Sequence, residues 1–295
     1  MRISAQDPTK LTILGQPISV RGEFPNTVAA SAKNKLVCVG STGAIAGISC
    51  SSFSESGLSP MDELREFDIG QRTPPIGPTN TVSQTFFSHD ESFLFTTVKG
   101  DPAVNKTGFL STFPVSRNSC NSTSAVLSRS ETRSSPQDTA VLFGSANIPW
   151  TNNVFVTDAS FGAAILSFDR TQGIASLVSK QAIEGQMATC WATVSSFTKT
   201  AFVTDVGTNR IVEMSLKDAH IISQVDLSQN GDPGLIDLRA AGEFLYALSP
   251  GNGTTQAAVT VVKVSGGSVA PQMVQHFKLG AMGVGKNAQG MAVFQ

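Results

Sequence analysis

A hairpin pattern that recurs along the chain is the feature that most constrains the fold. Val154-Phe-Val-Thr-Asp158 returns 47 residues later as Ala201-Phe-Val-Thr-Asp205, and in both copies a second apolar segment follows the Thr-Asp pair. Two apolar segments joined by a short polar turn are typical of a β-hairpin. Looser copies begin at Lys35, Phe93 and Phe244, with a spacing of 43 to 61 residues between the starts of successive copies. An apolar segment precedes each hairpin and a more polar one follows it, so each repeat contains four predicted strands. Four strands in each repeat of this length predict a β-propeller.

The repeats predict one all-β domain, because a single four-stranded antiparallel blade cannot bury both of its faces alone. Five complete blades are predicted, over residues 23–70, 80–133, 135–185, 186–231 and 232–280. The two ends supply only partial blades. An outer strand is predicted at Lys10–Leu14, within residues 1–22, and an inner strand at Ala288–Phe294, within residues 281–295.

Composition excludes several classes of partner. The 21 basic residues are balanced by 22 acidic ones, giving a formal net charge of −1, so the electrostatic attraction that dominates nucleic-acid binding is absent. No apolar run approaches the roughly 20 residues that a membrane-spanning helix needs. Residues 1–8 contain no apolar core of a signal peptide, so the sequence as it stands predicts no secretory signal.

The four cysteines, at positions 38, 50, 120 and 190, lack the C-x-x-C spacing of zinc sites. Cys38 and Cys50 flank a glycine-rich stretch that is typical of a hairpin, which would place the two residues on adjacent strands of one blade. At this stage a disulfide and two free thiols are both open, since a bridge requires the Cα atoms to lie within about 7 Å. Cys190 lies in an apolar strand and is predicted to be buried and unpaired.

Candidate ligand-binding residues are the polar and amphipathic side chains beside the predicted inner strands, where a propeller places its central site. For Lys99 and Asp101 an ion pair within a turn is favoured over ligand contact, because exposed pairs of this kind are common, whereas Trp191 could equally pack between blades. The candidates are Asn80, Lys99, Asp101, Trp191, Asp237, Asn287 and Gln289.

No catalytic residue is assigned from a motif. Histidines occur only at 89, 220 and 276, and His89 lies in a predicted turn with no supporting motif. Asp158 and Asp205 recur in two blades, which favours a role in capping turns over metal binding. We therefore predict no metal and no organic cofactor.

Six segments resemble fungal proteins known as 3-carboxymuconate-cyclase-like, and the likeness extends from about Asp7 to the C-terminus. The segments are Thr73–Val82, Thr97–Gly108, Phe155–Ala164, Ala188–Ala192, Ala247–Gly253 and Gly285–Met291. The resemblance implies a seven-bladed, lactonase-like propeller made as a secreted precursor. Members carry a signal peptide and roughly one and a half further blades ahead of the point where this chain begins, at roughly 40–45 residues per blade. The chain is therefore expected to be short at its N-terminus.

The resemblance implies two kinds of chemistry without a cofactor, both on a small unsaturated metabolite in the central channel. One is cyclisation of muconate-type diacids to lactones, and the other is hetero-Diels–Alder cycloaddition in fungal secondary metabolism. The alternative is a non-catalytic secreted or surface propeller that acts as a binding or antigenic protein. Because histidine is scarce, an enzyme of this composition is expected to work by orientation and hydrogen bonding.

Three Asn-x-Ser/Thr sequences predict a glycoprotein. Together with the resemblance they favour a secreted or vesicular location, and the protein is expected to be a monomer. Candidate glycosylation sites are the Asn-x-Ser/Thr sequences at Asn105, Asn121 and Asn252.

Overall fold

The computed structural model describes residues 2–4, 6–7, 9–117, 125–266 and 269–293. The chain forms two compact units. Unit 1 comprises Met1–Val98 and Leu110–Arg133, and unit 2 comprises Lys99–Phe109 and Ser134–Gln295. Over the described residues there is no α-helix, only three short 3₁₀ turns, at Pro102–Val104, Ser228–Asn230 and Gly280–Met282. No helix in this part of the chain is long and apolar enough to cross a membrane.

Unit 1 contains two antiparallel blades and a short N-terminal hairpin. Its strands are β1 (Arg2–Ile3), β2 (Leu11–Thr12), β3 (Pro25–Ser31), β4 (Leu36–Ser41), β5 (Gly47–Ser54), β6 (Gly57–Leu58), β7 (Arg65–Glu66), β8 (Val82–Phe87), β9 (Phe93–Val98), β10 (Phe109–Ser116), β11 (Val126–Leu127) and β12 (Thr132–Ser134). Strands β10 and β12 each extend one residue into unit 2. The strand orders are β3-β4-β5-β6 and β8-β9-β10-β11. In each blade a second short strand, β7 or β12, shares the outer position.

Unit 2 contains three regular four-stranded blades. They consist of β13 (Leu142–Asn147), β14 (Asn153–Asp158), β15 (Gly162–Asp169) and β16 (Ile174–Ala182); β17 (Thr189–Val194), β18 (Thr200–Asp205), β19 (Arg210–Ser215) and β20 (Ile221–Asp226); and β21 (Asp237–Ala241), β22 (Phe244–Ser249), β23 (Ala258–Lys263) and β24 (Gln272–Lys278). Within each blade every strand is antiparallel to its neighbours, in chain order.

The core of unit 2 lies between successive blades. Phe155, Ile165 and Val203 belong to one buried cluster that joins the first and second blades of the unit. Phe202 and Leu245 belong to another, which joins the second and third. The two middle strands of a blade are therefore apolar on both faces, whereas the fourth strand alternates between buried or half-buried and exposed residues, as in β16. This difference explains the more polar fourth segment of each repeat.

The prediction of an all-β β-propeller with five four-stranded antiparallel blades is confirmed. The N-terminal prediction is confirmed only in part: a strand lies within Lys10–Leu14, at Leu11–Thr12, but it pairs with β1 and not with a strand of a blade. Residues 283–293 form no strand, so the predicted strand at Ala288–Phe294 is absent over its described part. There the backbone of Met291 bonds to side chains of β21 and not to a strand backbone.

Cys38 and Cys50 lie directly opposite each other on β4 and β5, with their Cα atoms 4.0 Å apart. Their sulfur atoms form a disulfide within the first blade of unit 1. Cys190 is buried and its thiol is free. The glycine-rich hairpin between Cys38 and Cys50 is therefore what brings the two sulfur atoms together across the strands.

Candidate functional site

The recurring Thr-Asp pairs organise the entrance to the inner strands of unit 2. The carboxylate of Asp158 accepts hydrogen bonds from the backbone N–H groups of Ala140 (2.7 Å) and Val141 (3.0 Å). Asp205 accepts in the same way from Met187 (3.2 Å) and Ala188 (3.1 Å). Each aspartate thus fixes the segment that leads into the inner strand of its own blade, as predicted for turn caps. No cluster of metal-ligating side chains occurs among the described residues.

The threonines of the same pairs fix a bulge within the inner strands β13 and β17. Thr157 Oγ1 accepts from the N–H of Gly144 (2.9 Å), and Thr204 Oγ1 accepts from the N–H of Trp191 (3.0 Å). Gly144 and Trp191 lie in the register shift of their respective strands. The two residues are therefore equivalent in the repeat, which is why one short motif positions both.

Glycine is required at position 144 because β13 runs very close to β17. A Cβ atom at Gly144 would lie 2.5 Å from the carbonyl oxygen of Cys190 and 2.6 Å from the Cα of Trp191. Thr157 adds a direct link by donating its hydroxyl to the Cys190 carbonyl at 2.7 Å. The backbone of Cys190 and Trp191 is thereby held against the neighbouring blade.

Two basic and two aromatic side chains gather along these inner strands, and all four are partly exposed. We call them the cation–aromatic cluster: Lys99, Phe143, Trp191 and Arg239. Lys99 Nζ lies 4.2 Å from the centroid of the Phe143 ring. The Phe143 and Trp191 rings meet edge to face, with centroids 6.2 Å apart and planes at 82°. The guanidinium carbon of Arg239 lies 5.6 Å from the Trp191 ring. Both cations therefore lie on the faces of aromatic rings, an attractive arrangement.

Asp237 is the acidic side chain of this region, and it is almost fully buried. Its carboxylate accepts from the backbone N–H of Met291 (2.6 Å) and of Leu238 (2.8 Å), and lies 3.5 Å from Arg239 Nη2. Burial raises the pKa of Asp237, while the charge of Arg239 and the two backbone N–H groups oppose that rise. Arg239 also donates through Nε to the carbonyl of Met291 at 2.9 Å. The C-terminal segment is thus held on β21 by two side chains of that strand.

Lys99 differs from the other basic residue of the cluster because it has no carboxylate partner within ion-pair distance over the described residues. Burial lowers the pKa of Lys99 to about 8, although the nearby Cys190 sulfur opposes this. Burial also raises the pKa of the Cys190 thiol to about 12, with Lys99 opposing the rise and Asp237 adding to it. The amine is therefore the group of this region that changes its charge near neutral pH.

The structure brings together three of the seven predicted site residues: Lys99, Trp191 and Asp237. Two others stabilise turns. Asn80 donates its side-chain amide to the Ile69 carbonyl in unit 1, and Asp101 Oδ1 accepts from the Ala103 N–H (3.2 Å) at the start of a 3₁₀ turn. No ion pair joins Lys99 to Asp101. The remaining two, Asn287 and Gln289, are exposed in the C-terminal segment.

Sequence reasoning missed Phe143 and Arg239. Arg239 lies opposite Tyr246 on β21, a strand whose register has no shift, unlike β13 and β17. The third blade of unit 2 also has no Thr-Asp pair, so the repeat gives no signal for Arg239. Phe143 lies within the bulge, between Leu142 and Gly144, and no motif marks it.

The strand order and the comparisons with solved structures define a lactonase-like β-propeller fold. The periplasmic gluconolactonase PpgL of Pseudomonas aeruginosa is 12% identical, with a TM-score of 0.62 over 86% of this chain and 72% of that one. A candidate 6-phosphogluconolactonase of Bacteroides uniformis is 15% identical, with a TM-score of 0.62 over 85% and 71%. At these identities the likeness shows the fold alone.

The same fold also occurs in a protein that binds a peptide. Sqt1 of Chaetomium thermophilum, solved with the N-terminus of the ribosomal protein L10, is 13% identical, with a TM-score of 0.52 over 88% of this chain and 75% of that one. No protein-family model and no curated protein sequence matches the chain.

Proposed function

We propose that the protein is a cofactor-independent cyclase that converts a small unsaturated carboxylate to a lactone at the cation–aromatic cluster. The observation that carries the proposal is Lys99, a half-buried ammonium group without a carboxylate partner, on the same aromatic surface as Arg239. A substrate carboxylate would supply the missing counter-charge. Phe143 and Trp191 would contact the planar unsaturated part of the molecule.

The chemistry needs one carboxylate that attacks, a conjugated double bond activated by a second carboxylate, and one proton. A carboxylate oxygen adds to the far carbon of a conjugated double bond, and the carbon next to the activating carboxylate takes a proton. Lys99 is suited to donate that proton because its pKa, about 8, makes it a stronger acid than an ordinary lysine. Water then returns a proton to the amine, so the net change is one proton taken up and one carbon–oxygen bond formed. Arg239 would hold a second carboxylate or a developing negative charge.

The lactonase-like fold and the resemblance to 3-carboxymuconate-cyclase-like proteins support this class of reaction. The direct test follows the loss of the conjugated chromophore of cis,cis-muconate and of its 3-carboxy derivative. Lys99→Met and Arg239→Met should each lower kcat/KM by about 10- to 100-fold, the effect of one lost charged hydrogen bond. Lys263→Met, which removes an exposed lysine paired with Glu243 at 3.2 Å, is the matched control.

The pH dependence separates this mechanism from histidine catalysis. The active form is protonated Lys99, so the rate should be constant at lower pH and fall as the pH rises through about 8. His89→Ala should leave the profile unchanged, because His89 is exposed in a turn between β8 and β9. A bell-shaped profile that disappears in His89→Ala would contradict the mechanism. Absence of both turnover and binding for the unsaturated diacids would contradict the function.

A non-catalytic binding propeller is the second candidate, and the peptide-bound Sqt1 structure favours it as a use of this fold. The two candidate functions predict different effects of removing the Lys99 charge. A peptide-binding protein would retain its partner in Lys99→Met, whereas the proposed enzyme would lose its small ligand. Calorimetric titration of the native protein and of Lys99→Met with the diacids distinguishes the two candidate functions.

We also propose that the protein matures in a secretory or vesicular compartment. The Cys38–Cys50 disulfide supports this, because such bonds persist mainly in oxidising compartments. The candidate glycosylation sites Asn105 and Asn252 are exposed, as the modification requires, and Asn121 lies outside the described residues.

A further inference from the structure

We propose that Lys99 is a covalent capture site for small planar aldehydes, with which its side-chain amine condenses to form an imine. The inference goes beyond cyclisation, because it concerns the nucleophilic form of the amine and a different class of ligand. It starts from the surroundings of Nζ, which lies over the Phe143 ring at 4.2 Å. Lys180 and Lys263 of unit 2, in contrast, have carboxylate partners on the surface, Asp138 at 3.3 Å and Glu243 at 3.2 Å.

The loop that carries Lys99 is fixed at the residue that follows it. The N–H of Gly100 donates to the Ala140 carbonyl at 2.9 Å. A Cβ atom at Gly100 would lie 2.3 Å from the Lys106 carbonyl oxygen and 2.5 Å from that of Ala140. Backbone groups therefore surround Gly100 closely, which fixes the backbone from which the Lys99 side chain extends to the Phe143 ring.

The charged and titratable groups around the amine leave it free to react. Cys190 approaches from β17, Asp237 and Arg239 lie on β21, and Asp101 lies on the same loop as Lys99, as does the exposed Lys106. Asp237 is already occupied by Arg239 and by backbone N–H groups. Cys190 stays a protonated thiol, with a pKa of about 12, and does not compete as a nucleophile. With a pKa of about 8, roughly a tenth of the Lys99 amines are neutral at pH 7, a far larger fraction than for an exposed lysine.

The condensation is balanced without an oxidant or reductant. The neutral amine attacks the carbonyl carbon and forms a C–N bond, giving a carbinolamine. The hydroxyl group of the carbinolamine takes up a proton and leaves as water, while the nitrogen forms the C=N bond and loses its one remaining proton to solvent. The products are one imine and one water. An aromatic aldehyde suits the place, since its ring can contact Phe143 and Trp191 and an anionic substituent can reach the charge of Arg239.

The test uses 4-carboxybenzaldehyde with cyanoborohydride, which reduces the imine to a stable secondary amine that peptide mapping locates. At neutral pH we expect Lys99 to be labelled at least about tenfold faster than the exposed lysines, because of its larger neutral fraction. The labelling rate should rise as the pH rises through about 8. Benzaldehyde without the carboxylate should label more slowly, and Arg239→Met should abolish that difference.

Lys99→Arg keeps the positive charge and removes the nucleophile, so it should lose the label while remaining folded by circular dichroism. Lys263→Arg is the matched control and should be labelled like the native protein. Equal labelling of all lysines, or labelling that persists at the same site in Lys99→Arg, would overturn the proposal. Diacid turnover is measured separately: turnover without selective labelling overturns only the capture site, and selective labelling without turnover overturns only the cyclase.

Discussion

At the scale of single residues, Trp191 is predicted to contribute through its ring and not through its indole N–H. The ring contacts Phe143 and Arg239, whereas Nε1 is buried with no hydrogen-bond partner over the described residues. Trp191→Ala should lower the free energy of unfolding by about 2–3 kcal/mol, less than for a fully buried aromatic. Trp191→Phe should cost less, because it keeps an aromatic ring and removes an unsatisfied donor. Urea denaturation measures both, and equal losses would show that the N–H has a partner.

The hydrogen bonds to Asp205 predict how the stability of the folded protein changes at low pH. Burial alone would raise the pKa of this carboxyl, but hydrogen bonds from Ala188, Met187 and Arg210 outweigh burial and lower the pKa below its usual value. The resulting stabilisation is fully present above about pH 3.9, the unfolded-state value, and is lost as the pH falls through the lower folded-state pKa.

Asp205→Asn should therefore lower stability at neutral pH, by about 2 kcal/mol, and flatten the loss of stability below pH 4. Denaturant unfolding at a series of pH values measures this. Asp138→Asn removes an exposed ion pair with Lys180 and should change stability by less than about 0.5 kcal/mol. If Asp205→Asn lost stability below pH 4 as steeply as the native protein, other titrating groups would be responsible for that loss.

The sequence predicted only some of the side chains that meet in the cation–aromatic cluster. Trp191 and Lys99 stood out by residue type and position, and the recurrence of Asp158 and Asp205 identified them as turn caps. Phe143 could not be placed, because the sequence shows the Thr-Asp pair but not that its threonine holds a bulge in the neighbouring strand. Arg239 could not be placed, because β21 has neither a register shift nor a Thr-Asp pair on its partner strand. Asn80 and Asp101 have the polarity of ligand contacts, but local backbone groups take up their hydrogen bonds.

At the scale of strands, Gly144 is predicted to control the spacing of β13 and β17. An added methyl group would collide with backbone atoms, the Cys190 carbonyl and the Trp191 Cα, which cannot move aside as a side chain could. Gly144→Ala should therefore destabilise the protein by about 2 kcal/mol or more and displace Trp191. Intrinsic tryptophan fluorescence and denaturant unfolding report the two effects.

Gly285→Ala is the control, because a Cβ atom there meets nothing within 4 Å. Its stability should stay within about 0.5 kcal/mol of the native protein. If Gly144→Ala behaved like this control, the two strands would be able to separate without cost. The contacts of Trp191 would then not depend on the spacing.

Strand positions could be predicted where the repeat is complete, and the prediction failed where the repeat is incomplete. In unit 2 the Thr-Asp pairs end β14 and β18 as the hairpin pattern predicted. In unit 1 the outer position of each blade is divided between two short strands, and no periodic pattern indicates that division. The C-terminal prediction failed because alternation in Ala288–Phe294 indicates strand propensity but not the presence of a partner strand.

At the scale of the whole molecule, secretory maturation gives a prediction about covalent state. Expressed behind a secretion signal, the chain should acquire glycans at the exposed residues Asn105 and Asn252, detected as a glycosidase-sensitive mass that Asn105→Gln and Asn252→Gln each reduce. The chain has four cysteines, and the two in the Cys38–Cys50 disulfide should not react with a thiol reagent in denaturant. Two free thiols are therefore expected without reductant, and four after a reductant is added. Four free thiols without reductant would contradict secretory maturation.

The buried thiol of Cys190 can report how often strand β17 opens. In a Cys120→Ser variant with the disulfide intact, Cys190 is the sole thiol, and a maleimide can reach it only when β17 separates from its neighbours. The alkylation rate then measures how often that strand opens in the native protein. Any molecule that binds the closed form should slow the reaction in proportion to its occupancy, so a library of metabolites can be screened with no assumption about turnover.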